Sequence, residues 1–382
     1  MMRLPSWRET GVVFLLKNQQ VMKPYLYLSI LFCLSLLMGC NDTENGPEVT
    51  FDRAEMLENM ADNIILPRLQ AFQSEATELH AAVNAFAQDV NAENLAAARS
   101  AWADAAEDWQ YVSAFGFGPG DLSLGPIGSV LGTFPADASA IEQAIAAQDF
   151  SLNNFRRDVR GLYALEYLLY GPQPNQDNTL SFYQASEGAA RLAYLQAVSD
   201  NLNTNTGQVV SEWQSGYRSS FIENDGTSAG SSAAQLFNAF SQDFEVLKNF
   251  KVGLPAGNRS GQTSAEPTKV EAYYSGMSRQ LLDDHFNSVV SLWEGGDGPG
   301  FREYLLSVEG GPALVQATEE QIIQVEQDLA SLPDEPLSQL IEQDAASVDN
   351  LYTELQKLTR FFKSDMSSLL GIAITYNSGD GD

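Results

Sequence analysis

The sequence predicts an all-α protein. Apolar residues recur every three to four positions through most of the chain, no segment alternates convincingly in the way a half-buried strand must, and glycine or proline punctuates the helical runs. With 382 residues, 44% of them hydrophobic and 10% aromatic, the chain is long enough for two packed cores of ordinary size.

In chain order, Met56, Met60, Ile64, Leu69 and Phe72 open an amphipathic helix that Pro67 is expected to kink. Leu95, Trp102, Trp109 and Val112 mark a second. Glycines at 116, 118, 120, 125, 128 and 132 exclude a helix between Phe115 and Thr133, leaving a plain crossover or a loop that closes over a site. Further helices are predicted at 137–148, 155–170, 183–220 with a break at Thr206-Gly207, and 230–250. After the Gly- and Pro-bearing stretch 253–267 they resume at 268–293, 313–332 and 336–373. That stretch is the best boundary, dividing the chain into domains 51–252 and 253–382. Long antiparallel helices with short connections form bundles.

Residues 23–40 have a positive start, an apolar middle and small Gly39 before Cys40, the pattern of a secretory signal ending in a lipobox-like Leu37-Met38-Gly39-Cys40. The competing reading is a membrane anchor, but the apolar run is shorter than the roughly 20 residues a spanning helix needs. Accordingly 22–39 is read as a lipoprotein signal peptide, 1–21 as an upstream start-site extension, Cys40 as the lipidated residue and 40–50 as a polar tether. This predicts a lipid-anchored protein of the bacterial cell envelope, on its periplasmic or outer-surface side, held to the membrane through Cys40. With Cys33 in the signal, no cysteine remains for a disulfide, a nucleophile or a thiolate metal site. The formal net charge of −29 disfavours nucleic acid and suits a cationic ligand, a metal ion or a basic protein partner; a merely solvated acidic surface accounts for it equally well.

Chemistry concentrates at Gly161-Leu162-Tyr163-Ala164-Leu165-Glu166-Tyr167-Leu168-Leu169-Tyr170-Gly171, a helical run with one acid among apolar neighbours, stopped by Gly171-Pro172. Tyr163 and Glu166, three apart, share a face, while Phe155, Val159, Leu162, Leu165 and Leu169 form an apolar stripe. Two readings stay open for the pair: helix packing, with an arginine such as Arg99, Arg160 or Arg191 as partner, or a polar-ligand or metal site. Phenol and carboxylate oxygens would suit iron or another oxygen-liganded cation better than zinc. Only His80 and His285 are present, both expected at the surface, and they cannot form the one-turn histidine pair of a common zinc peptidase. Gly295-Gly296-Asp297-Gly298-Pro299-Gly300 lacks the Gly-Lys-Ser/Thr of a phosphate loop.

The 161–166 segment resembles the Gly-x-His-x-x-Glu signature of the imelysin family, with Tyr163 at the histidine position. Other blocks are similar in order and spacing: Ala101-Trp102 through Trp109 with Phe117-Gly118-Pro119; Phe134-Pro135-Ala136-Asp137, like a Trp-Pro-x-Asp turn; 248–255; Glu271-Ala272-Tyr273-Tyr274-Ser275-Gly276; and the 370–382 terminus. This resemblance implies two four-helix-bundle-like domains with a candidate site near their interface, formed by Tyr163, Glu166, Asp137, Glu271, Tyr273, Ser275 and Arg99. Any metal would fall to Glu166 and Tyr163. It also implies a link to iron uptake, with iron or an iron-bearing molecule as ligand. The leading expectation is a ligand- or metal-binding protein without peptidase activity; the alternatives are a divergent metallopeptidase using Glu166 and an acidic interaction module that recruits an envelope protein.

Overall fold

A computed structural model describes residues 51–174 and 178–376, which belong to one compact unit. The signal segment, Cys40 with its tether, and the Asp380-Gly381-Asp382 end lie outside the described residues. The fold is all-α. Among the described residues, the only strands are Asp121–Leu122 and Gly125–Pro126, a two-residue antiparallel hairpin inside the glycine-rich stretch, followed there by the short helix Ile127–Leu131. Helix does therefore form within 115–133, where Ile127, Val130 and Leu131, three to four apart, are buried on one face despite Gly128. No described helix is long and apolar enough to cross a membrane.

Two groups of four helices build the unit. In the first, Leu66–Gln88 lies along both Ala92–Trp109 and Gly188–Glu212, and Gly161–Tyr170 packs against the latter two. In the second, Gly311–Ser331 pairs with Ala345–Thr359, and Ser232–Val246 packs on Ser278–Glu294 and Ala345–Thr359. One contiguous apolar core runs through both, with Trp102, Trp213 and Trp293 fully buried. Burying a large apolar side chain contributes about 1.5–3 kcal/mol each, so these faces and not intrinsic helix propensity hold the groups in place. Helical chain runs unbroken through Ser232–Val246, the π-turn Leu247–Gly253 and Leu254–Ala256, spanning residues 252 and 253.

Several boundaries differ from the sequence expectation. Pro67 starts the Leu66–Gln88 helix directly after a π-segment, Met60–Ile65, whose wider turn accommodates its missing N–H. The expected break at Thr206-Gly207 does not occur: the Thr206 hydroxyl donates to the Leu202 carbonyl one turn back, at 2.9 Å, and the helix continues to Glu212. The kink falls at Gly216, where φ is 156°. The helix expected over 268–293 begins only at Ser278, because Ala272 (φ 53°) and Gly276 (φ 78°) place 271–277 in a turn.

The helix expected over 155–170 begins at Gly161, so Phe155, 80% exposed, and Val159 are not part of its stripe. Upstream, Arg160 Nη1 donates to the carbonyls of Leu152 and Asn154 at 2.5 and 2.8 Å, closing 152–160 as a loop. Residues 161–169 are buried on every side. That environment suits an all-round apolar helix. Its terminal carbonyls are satisfied from outside: Tyr183 donates to Leu168 O and Arg99 Nε to Leu169 O, each at 2.8 Å. The Trp102 indole fixes the other end through Leu162 O, also at 2.8 Å.

Gly161 starts this helix with φ 75°, and an added Cβ would stand 2.3 Å from the Leu131 carbonyl oxygen. Both the positive φ and the backbone contact require glycine. Gly161→Ala should lower unfolding free energy by about 2–4 kcal/mol, combining strained φ with overpacking; a shift in the urea midpoint at unchanged slope checks it.

Candidate functional site

The turn 271–277, buried at Glu271 and Ala272 and half-buried beyond, brings the second half of the chain onto the 161–170 helix. The Tyr163 hydroxyl donates to Glu271 Oε1, and Glu166 Oε1 accepts both the Ser275 N–H at 2.8 Å and the Ser275 hydroxyl at 3.0 Å. Tyr163, Glu166 and Glu271 are each at most 2% exposed. Two residues not singled out from sequence complete the cluster. Lys251 Nζ lies 2.7 Å from Glu271 Oε2 and donates to Gln110 Oε1, while Gln110 Nε2 donates to Ala106 O at 3.0 Å and to Glu271 Oε1 at 3.4 Å. Lys251 comes from the π-turn Leu247–Gly253, and Gln110 follows the Ala92–Trp109 helix. A buried ion pair is expensive to desolvate and persists only with such supporting hydrogen bonds.

The remaining expected site residues are placed elsewhere. Asp137 caps the Ala138–Ala147 helix through the Ala140 N–H at 3.0 Å and pairs with Arg156 at 2.9 Å near the surface. Arg99 braces the end of the 161–170 helix and stacks over Tyr170. Tyr273 packs edge-on against Tyr274. Neither Arg160 nor Arg191 serves Glu166: the first holds its own loop, the second pairs with Glu142. Phe134, from the turn before Asp137, packs its ring edge-on to Tyr163 at 5.5 Å.

Burial pushes the Glu166 carboxyl up to about 7, partly offset by its Ser275 and Tyr274 backbone partners. Burial, and then Glu271, hold the Tyr163 phenol well above its ordinary range, so it remains a protonated donor. A cation at Glu271 would face the Lys251 ammonium, and Tyr163 keeps its proton. The two motif positions, engaged separately by Glu271 and Ser275, therefore do not fit a shared metal ion. Among the described residues, no three His, Cys, Asp or Glu side chains are grouped to hold one.

Beside the cluster is a cavity of about 640 Å³, bounded by both halves of the chain. Trp109, Phe134 and Phe250 give it aromatic walls; Lys251, Glu271 and His285 line it as well. His285, expected at the surface, is fully buried: it stands on the Leu281–Val289–Leu292 stripe of its helix, a spacing that could have signalled this. Its Nε2 lies 2.7 Å from Asp243 Oδ2, and Ser113 Oγ donates to Asp243 Oδ1 at 2.8 Å. Serine and histidine thus both bind the acid, without the serine-to-histidine bond of a nucleophilic triad. Gly226-Thr227-Ser228-Ala229-Gly230 has the letters of a nucleophile elbow, but Ser228 is exposed in a turn that follows a helix, not a strand.

The imelysin family profile matches residues 65–361. A relative, "Iron-regulated protein A" of Synechococcus elongatus, is 24% identical over 297 residues, covering 73% of this chain and 76% of its own. Two crystal structures share the fold. A putative iron-regulated protein A precursor from Parabacteroides distasonis has a TM-score of 0.68 at 17% identity, over 83% of this chain and 95% of that one. An imelysin-like protein from Psychrobacter arcticum has a TM-score of 0.67 at 22% identity, over 85% and 97%.

Lys251→Met should cost about 3–5 kcal/mol by stranding a buried carboxylate, and adding Glu271→Gln should recover most of the loss; chemical denaturation of both variants checks the coupling. The pH dependence has a definite sign. An unfolded glutamate releases its proton near 4.5 while folded Glu166 keeps it to about 7, so stability falls as pH rises through that window. The contribution is of order 3 kcal/mol. Asp284, pushed up to about 6 by burial, titrates in the same range, so the measurement is the difference between the chain and Glu166→Gln, whose stability should decline less from pH 4.5 to 7.

Proposed function

Because the chain belongs to the imelysin family, we propose that it is a ligand-binding protein of the bacterial envelope serving iron uptake, without peptidase activity, and that its ligand occupies the cavity between the two helical groups. The iron connection comes from relatives: the Synechococcus elongatus and Parabacteroides distasonis proteins are both named iron-regulated protein A. The observation that carries the ligand reading is the cavity itself, about 640 Å³, with aromatic walls and a few fixed polar groups. That combination is typical of small-molecule sites. Tyr163 and Glu166 act in this reading as structural residues, because Glu271 and Ser275 already engage them. A lipid on Cys40 and the 41–50 tether would hold the domain at the membrane, leaving its acidic surface to meet a cationic ligand or an envelope partner.

One observation favours a second reading, that of an enzyme using Glu166 as general base: its carboxyl titrates at about 7, where a base is most effective. The same experiment separates the two. Ala239 lines the cavity from the Ser232–Val246 helix, so Ala239→Phe should fill it with little harm to the fold. In a deletion strain grown under iron chelation, the full chain should restore growth and Ala239→Phe should not. Neither protein should cleave an unfolded peptide, with or without added zinc. Restoration by the filled variant, or cleavage abolished by Glu166→Gln, would contradict the proposal.

A further inference from the structure

On the cavity wall, the fully buried side chain of His285 presents an atom without a hydrogen-bond partner, Nδ1. The opposite nitrogen, Nε2, faces the Asp243 carboxylate at 2.7 Å. A carboxylate accepts, which puts a proton on Nε2; in a neutral imidazole Nδ1 then presents a lone pair. The other buried polar side chains lining the cavity are engaged within the protein. Asp243 accepts from Ser113 and His285, and Glu271 from Tyr163 beside its Lys251 ion pair. Asn238 donates to Ala373 O at 3.0 Å and accepts from the Thr375 N–H at 2.7 Å.

A buried acceptor without a donor costs about 1–3 kcal/mol, a cost that a ligand's donor would recover. The walls state what else that ligand must be. Trp109, Phe134 and Phe250 line the cavity with aromatic side chains, which pack well against another flat ring. We propose that the cavity takes a small hydroxylated aromatic molecule, its ring among Trp109, Phe134 and Phe250 and its hydroxyl donating to His285 Nδ1. This rests on the reading of the cavity as the ligand site and narrows it to a chemical class.

The test is calorimetric titration of the whole protein with phenol, anisole and toluene, which share a ring and differ in having a donor, only an acceptor, or neither. Phenol should bind about tenfold more tightly than anisole, the worth of one hydrogen bond to a buried acceptor. In His285→Phe, which keeps a ring but has no acceptor, that preference should vanish. The NMR signal of the His285 imidazole nitrogen reads the same bond without a variant and should move on adding phenol. Equal binding of phenol and anisole, a preference that survives His285→Phe, or an unmoved nitrogen signal would overturn the role of His285 while leaving the cavity a ligand site. Failure of all three compounds to bind would overturn both this inference and the cavity reading beneath it.

Discussion

The arrangement depends on one buried carboxylate. Glu271 accepts the Tyr163 phenol from the first helical group, faces the Lys251 ammonium at 2.7 Å and receives Gln110, all at most 3% exposed. A charge in that position is tolerable only while every partner is in place, because desolvating it alone costs several kcal/mol. The consequence is geometric. Lys251 and Gln110 must come to Glu271, so the π-turn Leu247–Gly253, the end of the Ala92–Trp109 helix and the turn 271–277 are held at fixed distances, and the cavity beside them takes its shape. Polar satisfaction here specifies position more than it adds stability.

Tyrosine at the motif's histidine position fits this role. A protonated phenol in an apolar environment is a donor with no competing acid–base chemistry near neutral pH, since its own ionisation is pushed further up by burial. Glu166 is different in kind. It is bound to Ser275 from the second half, and burial pushes its carboxyl up to about 7. Ionisation would place a second carboxylate close to Glu271, and the Coulombic effect of Glu271 already contributes to the upward shift.

Much of the helical architecture was legible because amphipathic spacing survives in the sequence. The runs beginning near Met56, Leu95 and Leu314 mark helices that exist. Errors occurred where tertiary contacts overrode local pattern. Phe155 and Val159 continue the spacing of the 161–170 helix, yet Arg160 folds that segment into a loop by binding its carbonyls. Ala272 is a good helix former held at φ 53°, in the turn that delivers Glu271. The residues that meet across the halves, Tyr163 with Glu271 and Glu166 with Ser275, lie in motif blocks that could be named from sequence. Gln110 lies in none of these blocks, and Lys251, though within the block 248–255, had no legible role, because such side chains are almost always exposed and only the buried carboxylate explains their positions. Asp137 was legible as the residue of a turn, and its structural position is that of a helix cap.

The most direct test of the claim that Glu271 couples the two helical groups is amide hydrogen exchange on Tyr163→Phe, which removes one cross-group hydrogen bond and leaves the Lys251–Glu271 pair intact. If the account is right, protection falls together in the 161–170 helix, the turn 271–277 and the π-turn at 247–253. Faster exchange confined to the 161–170 helix, with the second-group segments unchanged, would contradict it.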